Sequence, residues 1–152
     1  MRDKQLARLM DITLVTNMNT RSEIDELIAA AKKYRCACVF IMPCYLEYTA
    51  KALSKFTDVH IGGVMGFPYG MDFTDIKVAQ TKRNIQLGAD ELDMVMNLGW
   101  LLSGDFERVR DDIKASELLT SWGDFKTDQV DVSELGRRNA AAVMAMDRAR
   151  WK

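Results

Sequence analysis

Up to about residue 116, short apolar segments alternate with longer segments of mixed polarity. The short segments are rich in β-branched or bulky residues and predict four strands, within LMDITLV, CACVFIMP, VHIGGVMGF and ADELDMVMNLG. The longer segments have helical spacing and predict four helices, within NTRSEIDELIAAAKKY, LEYTAKALSKF, DFTDIKVAQTKRNIQLG and GDFERVRDDIKASELL. Strands that alternate with helices predict repeated βα units around a parallel sheet, in either a partial (β/α)8 barrel or a doubly wound α/β fold.

Individual residues mark the ends of several predicted elements. Thr20, with Glu23 three residues later, predicts a capping box at the start of the first helix. Pro43 ends the second strand because proline donates no hydrogen bond to a ladder. Gly88 stands where the C-cap of the third helix is expected. No glycine-rich dinucleotide fingerprint follows any strand, so the pattern does not support a nucleotide-binding Rossmann domain.

The pattern changes after Ser116. The remaining sequence has no β-branched run, but Ser133 could cap a helix with one apolar side. The apolar residues on that side are Leu135, Ala142, Val143 and Met146. We therefore expect residues 1–116 to form the βα units and residues 117–152 to form a divergent tail with a C-terminal helix.

Composition restricts the class of protein and its partners. The chain has 152 residues, 28% of them charged, and a net charge of -1, which is typical of one globular domain. Lysine and arginine are spread thinly, without the basic stripe that binds nucleic acid. No apolar run approaches the roughly 20 residues that cross a bilayer, and the N-terminal segment lacks the apolar core of a secretory signal. We expect a cytoplasmic protein with neither nucleic acid nor membrane as a partner.

Three cysteines, Cys36, Cys38 and Cys44, lie close together in the sequence. An odd number in a chain of cytosolic type argues against a disulfide framework. Zinc usually requires four ligands with paired spacing, and His60 is the only histidine. We expect buried or half-buried thiols and no metal ion.

Polar residues that interrupt apolar strands are the candidates for chemistry, because a barrel places its active site at the C-terminal ends of its strands. Asp11 in the first strand, Asp93 in the fourth and Asn97 after the fourth fit this description. Asp93 lies in a segment expected to be buried, where an unpaired carboxylate costs several kcal/mol. Two interpretations stay open at this point: Asp11 and Asp93 are buried hydrogen-bond acceptors that tie strands together, or they are catalytic.

Five motifs resemble those of the deoxyribose-phosphate aldolase family. They are LMDITL in the first strand, IMPCYL after the second, GFPYG after the third, KVAQTK on the third helix and GADELDMVMNLGWLLSGD around the fourth strand. The resemblance covers roughly residues 7–115. Its specific part is the fourth-strand motif together with GFPYG, in the right order and spacing.

This resemblance implies a class I aldolase on a (β/α)8 barrel, without a metal or another cofactor. The family reversibly cleaves 2-deoxyribose 5-phosphate into acetaldehyde and glyceraldehyde 3-phosphate through a lysine Schiff base, so the implied ligand is a small phosphorylated sugar or aldehyde. Asp93 matches the family's proton-relay aspartate, and Asp11 matches the first-strand aspartate that organises the polar site. Asn97 and Phe67 lie in the matching motifs, and Phe40 directly precedes IMPCYL. These three are the candidate substrate-binding residues.

The sequence departs from the family pattern in two respects. Phe40 and Met42 occupy positions where the family usually has a cysteine and an asparagine, which makes that wall more apolar. The family places its Schiff-base lysine on the sixth strand, beyond the matched segment. GDFKTDQ partly resembles that lysine motif and aligns Lys126 with the imine-forming lysine, but it is one residue short and lacks the following S-T-G. Lys126 is therefore either a relocated nucleophile or a solvated surface lysine.

Three interpretations of the whole chain follow. The first is a truncated or rearranged aldolase of four βα units that is inactive on its own. The second is a non-catalytic interaction module whose open sheet edges pair with another copy or with a complementing chain. The third is a gene product whose tail comes from a frameshift or a fusion.

Overall fold

The computed structural model describes residues 6–117, which contain one parallel sheet in the order β1-β2-β3-β4. The strands are β1 (Asp11–Leu14), β2 (Cys38–Ile41), β3 (His60–Met65) and β4 (Glu91–Met94). The helices are α1 (Arg21–Tyr34), α2 (Pro43–Leu53), α3 (Thr74–Gln86), α4 (Leu98–Leu102) and α5 (Phe106–Glu117). The predicted strands, their parallel pairing and the four longer helices are confirmed. Helix α4 was not predicted, because its five residues are too few to show a helical period.

Local sequence signals explain where the helices begin and end. Thr20 and Glu23 form the predicted capping box, in which the Thr20 backbone N–H donates to Glu23 Oε2 over 2.7 Å. Pro43 is the first helical residue of α2, so this helix begins earlier than predicted. Proline suits that position because its missing N–H would have had no partner within the helix. Gly88 follows α3 with a φ of +101°, a conformation that glycine adopts without strain.

Helices α1 and α2 cover one face of the sheet with apolar side chains. Ile24, Ile28 and Ala31 of α1 are buried there against Val39 of β2 and Ile61 of β3. Helix α3 packs on the same face, where the Asn84 amide donates to the Val64 carbonyl over 3.0 Å. Successive helices on a single face are the arrangement of a barrel rather than of a doubly wound sheet.

Helix α3 turns a polar side to the sheet. Lys77, Thr81 and Asn84 are at most 1% exposed, and their spacing places them on one side of the helix. Gly63 of β3 provides the room, because a Cβ atom there would lie 2.9 Å from the Asn84 amide nitrogen. The absence of a side chain on β3 therefore allows α3 to approach the sheet closely.

The opposite face of the sheet has an apolar centre. Cys38, Phe40 and Val64 are buried there, with Val15 and Met42 packed against them. Phe40 pairs in register with Gly62, and a Cβ atom on Gly62 would overlap the Phe40 ring. The ring thus occupies the space that a larger β3 residue would fill.

Two expectations about burial were wrong. Asp93 was expected in a buried segment but is exposed, because β4 is an edge strand within the described residues. Cys36 and Cys38 are buried as predicted, whereas Cys44 is exposed. Cys44 lies in the first turn of α2, whose buried side carries Leu46, Thr49 and Leu53 instead.

Some expectations fall partly or wholly outside residues 6–117. The tail helix after Ser133, Lys126 and the division into residues 1–116 and 117–152 are among them, so these stay predictions. Among the described helices, none is long and apolar enough to cross a membrane.

We predict that Gly62→Ala lowers the free energy of unfolding by about 1–3 kcal/mol, since the added methyl group overlaps the Phe40 ring. In a Phe40→Cys background the same substitution is expected to cost much less, because the ring is absent. Urea unfolding of the four proteins in this double-mutant cycle measures the difference. An equal cost in both backgrounds would contradict the proposed contact.

Candidate functional site

The face of the sheet opposite the helices, here called the inner face, brings the two predicted catalytic carboxylates onto one surface. Strand pairing and the alternation of side chains identify its members. They are Asp11 and Thr13 of β1, Cys38 and Phe40 of β2, His60, Gly62 and Val64 of β3, and Glu91 and Asp93 of β4. Carboxylates therefore lie at both edges of the inner face, with mostly apolar residues between them.

Asp11 and Asp93 interact although they lie on opposite edge strands. Partial loss of hydration raises the pKa of Asp93, and the negative charge of Asp11 raises it further. The charge on one edge strand of the inner face thus influences a carboxyl group on the other edge strand.

Burial and negative charge also affect the pKa values of Glu91 and Cys38 on this face. Burial is the main cause that raises the pKa of Glu91, while His60 opposes the rise and Asp11 and Asp90 add to it. Burial together with the charges of Glu91, Asp11 and Asp90 raises the pKa of the Cys38 thiol far above its ordinary value. Cys38 thus stays protonated at neutral pH and is not a nucleophile.

Asn97 lies after the C-terminal end of β4 and is 6% exposed. Its side-chain oxygen accepts a hydrogen bond from the Trp100 backbone N–H over 3.1 Å and caps α4. This contact gives Asn97 a structural reason to stand at the strand end, since it satisfies one of the free N–H groups of the helix. Contact with a substrate stays a prediction for Asn97.

The two candidate phenylalanines lie in different surroundings. Phe40 is buried in the inner face, at 6% exposure. Phe67 is partly exposed in the turn of residues 66–70 that follows β3. That turn is held by a hydrogen bond from Gly70 N–H to the Gly66 carbonyl and by another from Gly66 N–H to Gln80 Oε1, of 2.6 and 2.8 Å.

A cavity, here called the helix groove, lies along α3 and was not predicted from the sequence. Its volume is about 960 Å³. Its wall includes Met71, Phe73, Val78, Lys82, Asn97 and Trp100. Val78, Lys82, Asn97 and Trp100 lie in the matching motifs, but only Asn97 was a candidate site residue. No spacing in the sequence indicated the groove.

Lys77 is the buried residue that sequence reasoning missed. It is 0% exposed, and its ammonium group donates to Asp112 Oδ2 over 2.6 Å. The available signal was the motif KVAQTK, but lysine is almost always exposed unless it is paired. The partner, Asp112, lies on α5 and is far away in sequence.

Within residues 6–117, no group of three histidine, cysteine or carboxylate side chains is arranged to hold a metal ion. The inner face can instead accept and donate protons through Asp93 and Glu91, whose raised pKa values bring their neutral forms closer to neutral pH.

Comparison with known proteins agrees with this arrangement. Residues 6–119 match the model of the DeoC/LacD family of aldolases. A deoxyribose-phosphate aldolase from Streptococcus equi subsp. zooepidemicus is 44% identical over 108 residues, which are 71% of this chain and 49% of the relative. Another from Staphylococcus epidermidis is 41% identical over 109 residues, with 72% and 49% covered. The chain spans about half the length of these curated relatives.

Solved structures give the same match. A Coccidioides immitis protein assigned as a deoxyribose-phosphate aldolase superposes with a TM-score of 0.74 at 39% identity, covering 78% of this chain and 47% of that one. The deoxyribose-phosphate aldolase from Aeropyrum pernix, described as a tetramer, gives a TM-score of 0.60 at 25% identity and covers 72% and 50%. The expected partial (β/α)8 barrel is thereby confirmed. Since the family model and the four βα units agree along the same residues, the chain belongs to the DeoC/LacD family of aldolases.

Proposed function

We propose that this chain provides the carboxyl groups for acid–base catalysis in an aldolase site. That site would act on 2-deoxyribose 5-phosphate through a lysine Schiff base. The observation that carries the proposal is the pair Asp11 and Asp93 on one face of the sheet, where Asp11 raises the pKa of Asp93. The names of the relatives support the substrate class.

Asp93 is proposed as the proton relay. In the cleavage direction a lysine amine adds to the C1 aldehyde of the substrate, and loss of water from the adduct leaves an imine. A carboxylate then removes the proton of the C3 hydroxyl, the C2–C3 bond breaks, and its electron pair moves into the enamine. Glyceraldehyde 3-phosphate leaves, C2 of the enamine takes up a proton, and water releases acetaldehyde. A carboxyl with a raised pKa can serve in both directions of proton transfer.

The nucleophile must be a lysine that loses its proton near neutral pH. Lys77 is not available for this role, because its amine is fully buried and paired with Asp112. Within this chain the candidate for a relocated nucleophile is Lys126, supported by its partial match to the family's lysine motif. The alternative source of the lysine is a complementing chain.

The proposed substrate contacts divide by chemistry. Phe40 of β2 and Met42, which follows the strand, would contact the carbon skeleton, since both side chains are apolar. Asn97, at the end of β4, would contribute its amide nitrogen, because its oxygen is engaged by α4. Phe67, in the turn after β3, would contact the substrate from the side of that turn.

A second candidate function is favoured by the edges of the sheet. Among residues 6–117, β1 and β4 each pair on one side only, and both are partly exposed along their length. Unpaired strand edges are templates for association. A second copy or a complementing chain would then bind there, with or without catalysis.

We predict that Asp11→Asn lowers the pKa of Asp93, because it removes the negative charge that helps to raise it. Carboxyl titration by ¹³C NMR measures the pKa of Asp93 in both proteins. The matched control is Asp111→Asn on the exposed side of α5, which is expected to leave the Asp93 titration unchanged. An unchanged titration in Asp11→Asn would show that the two carboxylates do not share a site.

We predict that Asp93→Asn stabilises the chain at pH 7. The pKa of Asp93 is raised in the folded state, so its ionisation at neutral pH costs folding free energy. The gain is expected to vanish below about pH 3.9, where the aspartate is protonated in both the folded and the unfolded states. Urea unfolding of both proteins at pH 7 and in acid measures the difference in their free energies of unfolding and tests both expectations. A loss of stability at pH 7 would indicate that Asp93 is a structural acceptor instead.

The proposed function is tested by trapping the Schiff base. Incubation with acetaldehyde and borohydride is expected to give one stoichiometric adduct by intact mass, mapped to one lysine. Lys126→Ala is expected to abolish it, whereas Lys82→Ala, in the helix groove, is expected to retain it. Asp93→Asn is expected to slow adduct formation by about 100-fold or more, as for the loss of a general acid–base group.

The absence of an adduct would distinguish the two candidate functions. No adduct on a chain that is folded by circular dichroism would exclude the catalytic proposal for this chain. If its mass in solution then rose with concentration, the second candidate function would be supported.

A further inference from the structure

A buried cluster joins α3 and α5 to the end of β4. Lys77 Nζ donates to Asp112 Oδ2 over 2.6 Å and to the Val95 carbonyl over 3.1 Å. The Thr74 hydroxyl donates to the other oxygen of Asp112 over 2.7 Å. Both charged side chains are at most 1% exposed. The ammonium group thus connects two helices to one backbone carbonyl just beyond the strand.

The same lysine supports the turn that follows β3. A Cβ atom on Gly66 would lie 2.9 Å from Lys77 Cε and 3.2 Å from the Val95 carbonyl oxygen, so the turn, the lysine and the strand end are in direct contact. One turn further along α3, Gln80 accepts the Gly66 backbone N–H over 2.8 Å. On the other side of the turn, Gly70 packs against the Met96 carbonyl. The turn of residues 66–70 is therefore in contact with both α3 and the end of β4.

The hydrogen bond from Lys77 to the Val95 carbonyl bears on the candidate site because of where Val95 lies. Val95 lies two residues after Asp93 and two residues before Asn97. Its N–H donates to the Met65 carbonyl over 3.0 Å, while its carbonyl accepts from Lys77. The Val95 residue is thus held on one side by β3 and on the other by the lysine. Any movement of it would displace both candidate site residues.

We propose that Lys77 is a positioning residue of the candidate site, which holds Asp93 and Asn97 in place through the Val95 carbonyl. Its relevance to catalysis rests on the proposed aldolase function, but the contact itself does not. Lys77 does not touch the inner face and does not react, because its amine is enclosed and ion-paired.

The alternative is that Lys77 and Asp112 only stabilise the packing of α3 against α5. The two roles can be separated because a buried ion pair is often replaced by apolar residues of similar volume without loss of stability. The variant K77M/D112L keeps the volume and removes both charges together, so the net charge near Asp93 is unchanged. It leaves the Val95 carbonyl without its donor. The exposed Lys82 of the same helix provides the control K82M.

The test is amide hydrogen exchange and ¹³C carboxyl titration of the full chain. In K77M/D112L we expect exchange at the amides of Gly66, Phe67, Tyr69 and Gly70 and of residues 95–97 to rise by about tenfold relative to β2. The Asp93 pKa is expected to move toward its ordinary value. K82M is expected to match the wild type in both measurements. Unchanged exchange and titration in a folded K77M/D112L would overturn the proposal. None of these measurements requires aldolase activity, so an inactive chain would leave their result unaffected.

If K77M/D112L does not fold, the proposal is tested on the wild-type protein by NMR. Contacts in nuclear Overhauser spectra from the Lys77 Hε protons to the Gly66 Hα protons and to residues 95–96 are expected. Their absence in a folded wild-type chain would overturn the proposal.

Discussion

The two adjacent glycines of β3 are the constraint on which the rest of the structure depends. Gly62 lies on the inner face and leaves space for the Phe40 ring, while Gly63 lies on the helix side and leaves space for Asn84. Since successive residues of a strand point to opposite faces, the pair removes bulk from both sides of the sheet at one level. Helix α3 can then lie close to β3, which brings Lys77 beneath the end of β4.

The candidate site contains carboxylates that lower the stability of the fold, and the packing around them compensates for this cost. Asp93 and Glu91 lie where hydration is reduced and other carboxylates are near, so their pKa values rise and their ionised forms are disfavoured. The apolar centre of the inner face and the buried polar contacts of α3 hold the strands that carry them. Such a division is common at active sites, where charged groups are placed for chemistry rather than for folding.

Much of the fold could be predicted because its signals are local. The capping box of Thr20 and Glu23, the proline at the start of α2 and the glycine after α3 each act within a few residues. Helix α4 was not predicted and α2 begins earlier than predicted, and the other errors concern burial. Asp93 was expected to be buried because its neighbours are apolar, but exposure depends on whether a strand lies beside β4. Cys44 was expected to be at least half-buried, although its side of α2 faces solvent.

The sequence by itself determined the order of strands and helices, the parallel sheet and the family, since hydrophobic period, caps and motif spacing are properties of neighbouring residues. It also identified Asp11 and Asp93 as candidates. Only the tertiary structure decided that Asp11 raises the pKa of Asp93 from the other edge of the sheet, that a helix groove forms along α3, and that Lys77 is buried against Asp112. These properties arise between residues far apart in the chain, and their energies depend on distance and hydration, which the order of residues does not specify.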